Sequence, residues 1–332
     1  MADLKLSQSF SMVALNAQDS LYMTTSKRVA LRCMAAAVIL ETYIDGSFTG
    51  TDDKLTIKND APEENSVMPY REAIFKPMLY KNSGIKGNLK WWLKKASMLP
   101  KGKLIIFEHK MTDSLKETNL LEEIPGLLGC DLFYVTSGVA IKEYRSNIQE
   151  YLRITENIRA EILEDGQVTN ETICMLWLLR ESGCMHDLFS RNELEKVASR
   201  MDKLCRSSLL AKTVFQIRIH RGFEIAIKEF LRMKKAVFRT SFGSGINFAF
   251  PILERSQSVF IDTEEWFSDP QKRLEDVKSR IVSNGHAFAV LHEGPISLLK
   301  IDNIVYEAIP QAVIVTKVPI HGVRLLPKYP TV

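Results

Sequence analysis

Cysteine is scarce in this chain, and what there is does not pair. The five residues Cys33, Cys130, Cys174, Cys184 and Cys205 are odd in number, widely spaced, and set mostly in apolar or helical surroundings. That excludes a disulfide framework and fits reduced thiols in a cytosolic-type compartment. No C-x-x-C pair accompanies Cys174, Cys184 and His186, so buried structural cysteines are expected there and not a zinc site. Long apolar runs are also missing. No window reaches the roughly 18 consecutive apolar residues that a membrane-spanning helix needs. The amino-terminal MADLKLSQSFSMVAL has neither a basic start nor a long apolar core, which argues against a signal peptide. The six histidines form no H-E-x-x-H or other paired metal spacing. Gly243-Ser244-Gly245 satisfies neither the phosphate-loop nor the nucleophile-elbow pattern and reads as a tight turn. Asp262, Glu264 and Glu265 before Trp266 read as a helix or turn cap. The expectation is a protein without catalysis, metal or cofactor.

The 332 residues allow two domains, and 45% apolar with 25% charged residues is ordinary for a globular chain. A small-residue helix dominates the first part. It runs from Arg28 to Ile44 with three consecutive alanines, Ala35 to Ala37, and stops at Asp45-Gly46. Large side chains would hold neighbours apart, so this helix is expected to let another backbone approach closely. A strand-like Leu55 to Pro62 follows, after which Gly87 to Ser97 places Leu89, Trp92, Leu93 and Ala96 on one helical face with lysines opposite. Further helices are expected over Leu104 to Leu121, Glu143 to Leu163, from a Thr169 cap to Gly183, Asn192 to Ala211, and Arg221 to Phe238. Leu127 to Ala140 reads as a strand pair about Ser137-Gly138.

After Phe238 the pattern changes to short apolar runs between turns: FGSGINFAF, SVFID, HAFAVLHEG, SLLKI, NIVYEAI, AVIVTKV and VRLLP, interrupted by one helix from Pro270 to Val282. The expected fold class is therefore mainly α. A helical domain with a small β-hairpin (residues 1–237) is followed by a smaller α+β module (residues 238–332).

The order of elements in the first part resembles the Golgi phosphoprotein 3 family. The resemblance rests on Ala36-Ala37-Val38-Ile39-Leu40-Glu41 to Gly46, then Lys58 to Pro62, Trp91-Trp92-Leu93, Leu120-Leu121-Glu122-Glu123, the apolar stretch Leu127 to Ala140, and Met175 to Gly183 with Asp187-Leu188-Phe189. It spans Leu15 to Ala236. It implies a cytoplasmic, peripheral protein whose helical domain binds phosphatidylinositol 4-phosphate, with the hairpin contributing to self-association and membrane contact. The family's head-group tryptophan falls at Ser26, its first arginine at Ala35, and its two later arginines near Glu108 and Lys110. At most one of the four keeps its charge. Arg28 and Arg32, one turn away, are the candidate substitutes.

Charge distribution says something on its own. Between Lys81 and Lys103 stand seven lysines and no acidic residue, with Trp91 and Trp92 in the middle. An anionic membrane or a phosphate backbone attracts such a run, although lysines on a solvated helix face look the same. The preference for Lys over Arg points to diffuse electrostatics, not bidentate phosphate recognition. A second basic stretch, Arg200 to Arg239, carries eleven Lys/Arg against three acids. The candidate anionic-lipid residues are Arg28, Arg32, Lys90, Lys94, Lys95 and Lys110, and the candidate hairpin contacts are Leu128, Leu132 and Phe133. The expected partner is an anionic lipid head group, with a protein partner or a second copy as the other reading: a scaffold that has lost lipid binding. Nucleic acid is disfavoured, since no helix-turn-helix or RNA-reading aromatic motif is present.

Overall fold

The computed structural model of the chain describes residues 4–57, 68–79, 87–219, 258–263, 269–315 and 318–328. The fold is mainly α with an α+β carboxy-terminal module. Its centre is α2 (Thr25–Ile44), begun by the Thr24 hydroxyl, which accepts the Lys27 N–H at 3.0 Å. Ala35, Ala36 and Ala37 are fully buried, and α1 (Leu6–Leu15), α4 (Leu89–Ser97) and α8 (Asn170–Ser182) pack directly on α2. The close approach expected of the alanine run is present. Gly46, at φ 66°, takes the left-handed turn that ends the helix region. Glu41 is buried, and its Oε2 accepts from the Ser7 backbone N–H at 3.0 Å and the Ser7 hydroxyl at 2.6 Å. A carboxylate from α2 thus closes the amino terminus of α1, satisfying two donors that the core would otherwise orphan. Burial, with the Glu41 charge second, pushes the Tyr70 phenol up to about 12.

The remaining helical elements follow local signals. A short ladder joins β1 (Phe48–Thr49) to β2 (Thr56–Ile57); residues 58–62 of the expected strand lie outside the described residues. α3 (Pro69–Leu79) precedes α4. Pro100 starts α5 (Lys101–Glu117) earlier than expected, and Asn119, at φ 56°, stops it before Leu121. The chain then enters β3 (Leu121–Pro125), which pairs antiparallel with β4 (Lys142–Ser146). Asn147 caps α7 (Ile148–Leu163), accepting from the N–H groups of Gln149 and Glu150, so this helix begins later than Glu143. Thr169 caps α8 and Gly183, at φ 79°, closes it, both as expected. The expected helix over Asn192 to Ala211 is two, α10 (Arg191–Ser207) and α11 (Leu209–Phe215), because Ser208 leaves helical geometry and caps the second. Between α8 and α10 lies the single turn α9 (Met185–Leu188). The expected Arg221 to Phe238 helix, the FGSGINFAF run, the boundary at 237/238 and most of the second basic stretch lie outside the described residues.

The module is a five-stranded antiparallel sheet in the order β5-β9-β8-β7-β6, formed by β5 (Val259–Asp262), β6 (Phe288–His292), β7 (Ser297–Ile301), β8 (Ile304–Val315) and β9 (Val318–Pro327). The helix α12 (Pro270–Ser283) buries Val277 and Ile281 beneath it, its start fixed by Asp269, which accepts the Gln271 N–H at 2.9 Å. Ile304 to Ile309 of NIVYEAI and the AVIV part of AVIVTKV, which look like two strands, fall in the continuous β8 despite Pro310, and Val318 opens β9. The pairing of β7 ends at Ala308, so beyond it β8 has one neighbour, which is where a sheet tolerates proline. Gly322 has no alternative: a Cβ there would stand 2.1 Å from the Ile261 carbonyl oxygen.

Candidate functional site

Among the described residues, uncompensated positive charge gathers at the elbow between α4 and α5. Asn88 starts α4 by accepting the Trp91 N–H at 2.9 Å. The helical repeat then turns Leu89, Trp92, Leu93 and Ala96 inward, and the Trp92 indole donates to the Leu55 carbonyl at 3.2 Å. Lys90, Lys94 and Lys95 are left exposed. Lys95 lies 5.2 Å from the Trp91 ring centroid, and Trp91 meets Trp92 edge to face at 5.1 Å. On α5, Lys101 and Lys103 are exposed in the first turn, and Lys103, Ile106 and Lys110 recur on one face at i, i+3 and i+7. Between the helices Met98 is 61% exposed, and Ile106 is 50% exposed. None of these six lysines has a carboxylate at ion-pair distance among the described residues. Lys101 and Lys103 also sit at the positive end of the α5 dipole, a placement that raises local potential and does nothing for the helix. Lys81 and Lys86, the start of the run, lie outside the described residues.

The family head-group positions tell the opposite story. Ser26 is buried and hydrogen-bonded to Gln18, Ala35 is fully buried, and Glu108 is 4% exposed. Glu108 pairs with Lys27 at 2.9 Å and accepts the Tyr144 hydroxyl at 3.0 Å, while the Lys27 ammonium also donates to the Asp19 carbonyl at 2.7 Å. Burial, followed by the Glu108 charge, raises the Tyr144 pKa. Lys27 is a buried cation that composition and spacing did not single out; only its place between Ser26 and Arg28 hinted at it. Arg32, expected to face a lipid, is 4% exposed and so is corrected: α2 is covered on nearly all sides and gives it no outlet to a surface. Arg28 is half-buried, and Lys110 stands exposed on α5. The place where the resemblance implies a head-group pocket is occupied by the protein's own ion pair.

The expected strand pair over Leu127 to Ala140 is also corrected. The strands are β3 and β4, outside it; between them run a 3-10 turn (Leu127–Cys130) and the short helix α6 (Leu132–Ser137). The reason is packing. Leu127 and Cys130 are buried in the core of the carboxy-terminal module, with Val259, Ile261, Val277 and Ile281, and Leu128 packs against the same core. Leu128 is therefore half-buried against that core and not at the tip of a hairpin. Leu132 is half-buried on α6, and Phe133 belongs to the same helix, its side chain outside the described part of the structure. This segment fastens the two parts of the molecule, aided by polar contacts. Arg145 donates to Asp302 at 2.7 Å and to the Gly285 carbonyl at 3.0 Å, and Asn303 donates to Asn16 at 3.0 Å and to the Ser146 carbonyl at 3.1 Å. His286 Nδ1 lies 2.7 Å from the Asp302 carboxylate. Burial acts to raise the Asp302 pKa, but the hydrogen bonds from His286 and Arg145 outweigh it and hold it below the usual range. Burial, with Asp302 and Asp19 adding repulsion, lifts Glu143 to about 8.

A cleft of about 720 Å³ adjoins the elbow through Lys90, with Tyr43, Asp52, Asp53, Asn88 and Ser208 on its walls. Its two carboxylates oppose the lysine, so the charge of a ligand is not fixed by its lining. Burial pushes the Cys130 thiol up to about 11 and the Cys174 thiol up to about 12, which disfavours their thiolates; Cys33 and Cys184 are also buried, and Cys205 is half-buried. No helix among the described residues is long and apolar enough to cross a membrane. No family model matches the chain, and no curated protein matches it in sequence.

Proposed function

We propose that this chain is a non-catalytic peripheral binding protein that docks on anionic membrane surfaces through the α4–α5 elbow. One observation carries the reading: five exposed lysines, Lys90, Lys94, Lys95, Lys101 and Lys103, surround the exposed Met98 without an ion pair among the described residues. Each such cation contributes about 1 kcal/mol near an anionic bilayer, and the sum decays within a Debye length of about 8–10 Å. The likeness to the Golgi phosphoprotein 3 family then extends to the kind of surface and stops short of the head group. With Ser26, Ala35 and Glu108 inside the fold, phosphatidylinositol 4-phosphate is recognised for its charge and not its stereochemistry.

Co-sedimentation with neutral, phosphatidylserine and phosphatidylinositol 4-phosphate vesicles at two salt concentrations tests this. Both anionic vesicles should pellet the protein at low salt and lose most of it at physiological salt. Lys90→Glu, Lys94→Glu and Lys95→Glu together should remove the salt-sensitive pelleting. Retention of the wild type by neutral vesicles alone, or no effect of the triple substitution, would falsify the proposal. A second reading, a scaffold for protein partners that has lost lipid binding, draws on the Lys27–Glu108 pair that fills the head-group position; it expects no pelleting with any vesicle.

A further inference from the structure

The apolar hairpin expected near residue 128 is closed, yet another stands open in the module. β8 and β9 pair from Tyr306↔Pro327 to Val315↔Val318, whereas β7 accompanies β8 only to Ala308 and β5 accompanies β9 only from Gly322. Among the described residues, 311–315 and 318–321 therefore form a two-stranded arm that reaches past the rest of the sheet. Paired residues share a face and neighbours along a strand alternate. Ile314 and Pro319 thus lie on one face, Val313 and Ile320 on the other, with Val318 on the latter. Ile314 is 79% exposed and Val318 58% exposed, so both faces are open. A hairpin built to lie on a protein core alternates apolar with polar; in its described part between Ala312 and Ile320 this one carries apolar residues on both faces.

We propose that this arm lies in the headgroup–acyl boundary of a bilayer and supplies the apolar part of the docking assigned above to the lysine elbow. Three observations select lipid over a second copy of the chain. Both faces need an apolar medium, which a single flat partner does not offer. Pro310 and Pro319, one in each strand, interrupt the outer edges along which a second hairpin would add. Charge agrees as well: from Ala308 to Val332 the sequence has no Asp or Glu, and although Lys328 is already paired with Glu307 at 2.8 Å, Lys317 stands between the two strands in sequence, the sign that an anionic surface requires. Among the described residues no further strand pairs with β8 beyond Ala308 or with β9 from Val318 to Ile320, and such edges keep the arm at the wet boundary and out of the hydrocarbon centre.

The inference rests on the membrane reading, and one set of measurements separates the two. Full-length wild type, Ile314→Asp/Val318→Asp, and the elbow triple variant are compared by co-sedimentation with phosphatidylserine vesicles at low and high salt. Their masses in solution are measured by light scattering. The wild type should keep a salt-resistant fraction, and the arm variant should lose it, with affinity at high salt falling about tenfold or more from two lost side-chain burials. The elbow variant should lose the salt-sensitive part. Equal binding of arm variant and wild type at high salt overturns the arm proposal and leaves the elbow standing. A dimeric wild type made monomeric by the arm substitutions, with vesicle binding unchanged, overturns it in favour of self-association. Loss confined to the arm variant overturns the elbow instead.

Discussion

Two apolar stretches of this chain look alike and end in opposite places. LLGCDLFYV, from Leu127 to Val135, is folded into a turn and a short helix, and the turn's Leu127, Leu128 and Cys130 enter the core of the neighbouring module. AVIV with VPI, from Ala312 to Ile320, forms an open hairpin with Ile314 79% exposed. The lysines divide the same way. Lys27 is buried against Glu108 at 2.9 Å, while Lys94 stands exposed with no ion pair among the described residues. In each case the residue types are equivalent, and what differs is whether a remote part of the chain arrives to cover them. Composition finds the candidates, and long-range packing decides which are surfaces.

The sharpest way to break the comparison is to put one charge into each apolar stretch. Leu127→Asp places a carboxylate among Val259, Ile261 and Val277 and should cost on the order of 4 kcal/mol, separating the module from its support. Ile314→Asp, in the open arm, should stay within about 0.5 kcal/mol of wild type. Urea unfolding of both variants measures the contrast. Equal losses would mean that the arm is covered and the comparison wrong.

Next in size is the lysine pair. Glu108→Ala leaves the Lys27 ammonium buried without its carboxylate and should cost about 3 kcal/mol, since an orphaned buried charge is far more expensive than the net worth of the pair. Lys94→Glu should leave the unfolding midpoint unchanged and weaken vesicle binding. A Glu108→Ala protein as stable as wild type contradicts the buried-network account.

Local chemistry made much of the helical part legible. The alanine run, the Thr169 cap, the Gly183 stop and the SLLKI strand are set by residues within a turn of themselves, and the structure places all four as expected. The lysines opposite Trp92 were legible for the same reason. What failed depended on distance. Arg32 reads as available until α1, α4 and α8 close around α2. Leu128 reads as a hairpin tip until β5 and α12, more than a hundred residues later, supply its core. The break at Ser208 was written locally and missed, because a serine amid helical periodicity looks like a surface position.

The fastening between the two parts should respond to pH by a smaller amount. The folded-state pKa of Glu143, about 8, is above its unfolded value, so the native state holds the proton more tightly. Its contribution is complete below about pH 4.5 and is lost as pH climbs through 8. Asp302 works in reverse: its folded pKa is depressed, so its contribution is present at neutral pH and lost only in acid. Between pH 5 and 8 the Glu143 slope should dominate, with stability falling by a few kcal/mol at most. Glu143→Gln should flatten that slope in a pH series of urea midpoints, and an unchanged slope removes Glu143 as its source.

The smallest effect tests whether the open lysines serve the fold at all. Lys101 and Lys103 occupy the first turn of α5, where the helix dipole favours anions, and Pro100 supplies no side-chain cap. If they were there for stability they would be in the wrong place. Lys101→Glu and Lys103→Glu should each stabilise the protein, by about 0.3–1 kcal/mol, while lowering affinity for anionic vesicles. Opposite signs in the two measurements are the mark of residues held at a cost to the helix for the sake of a partner. Loss of stability together with loss of binding would instead make them part of the scaffold, and the elbow would then belong with Lys27 and not with Lys94.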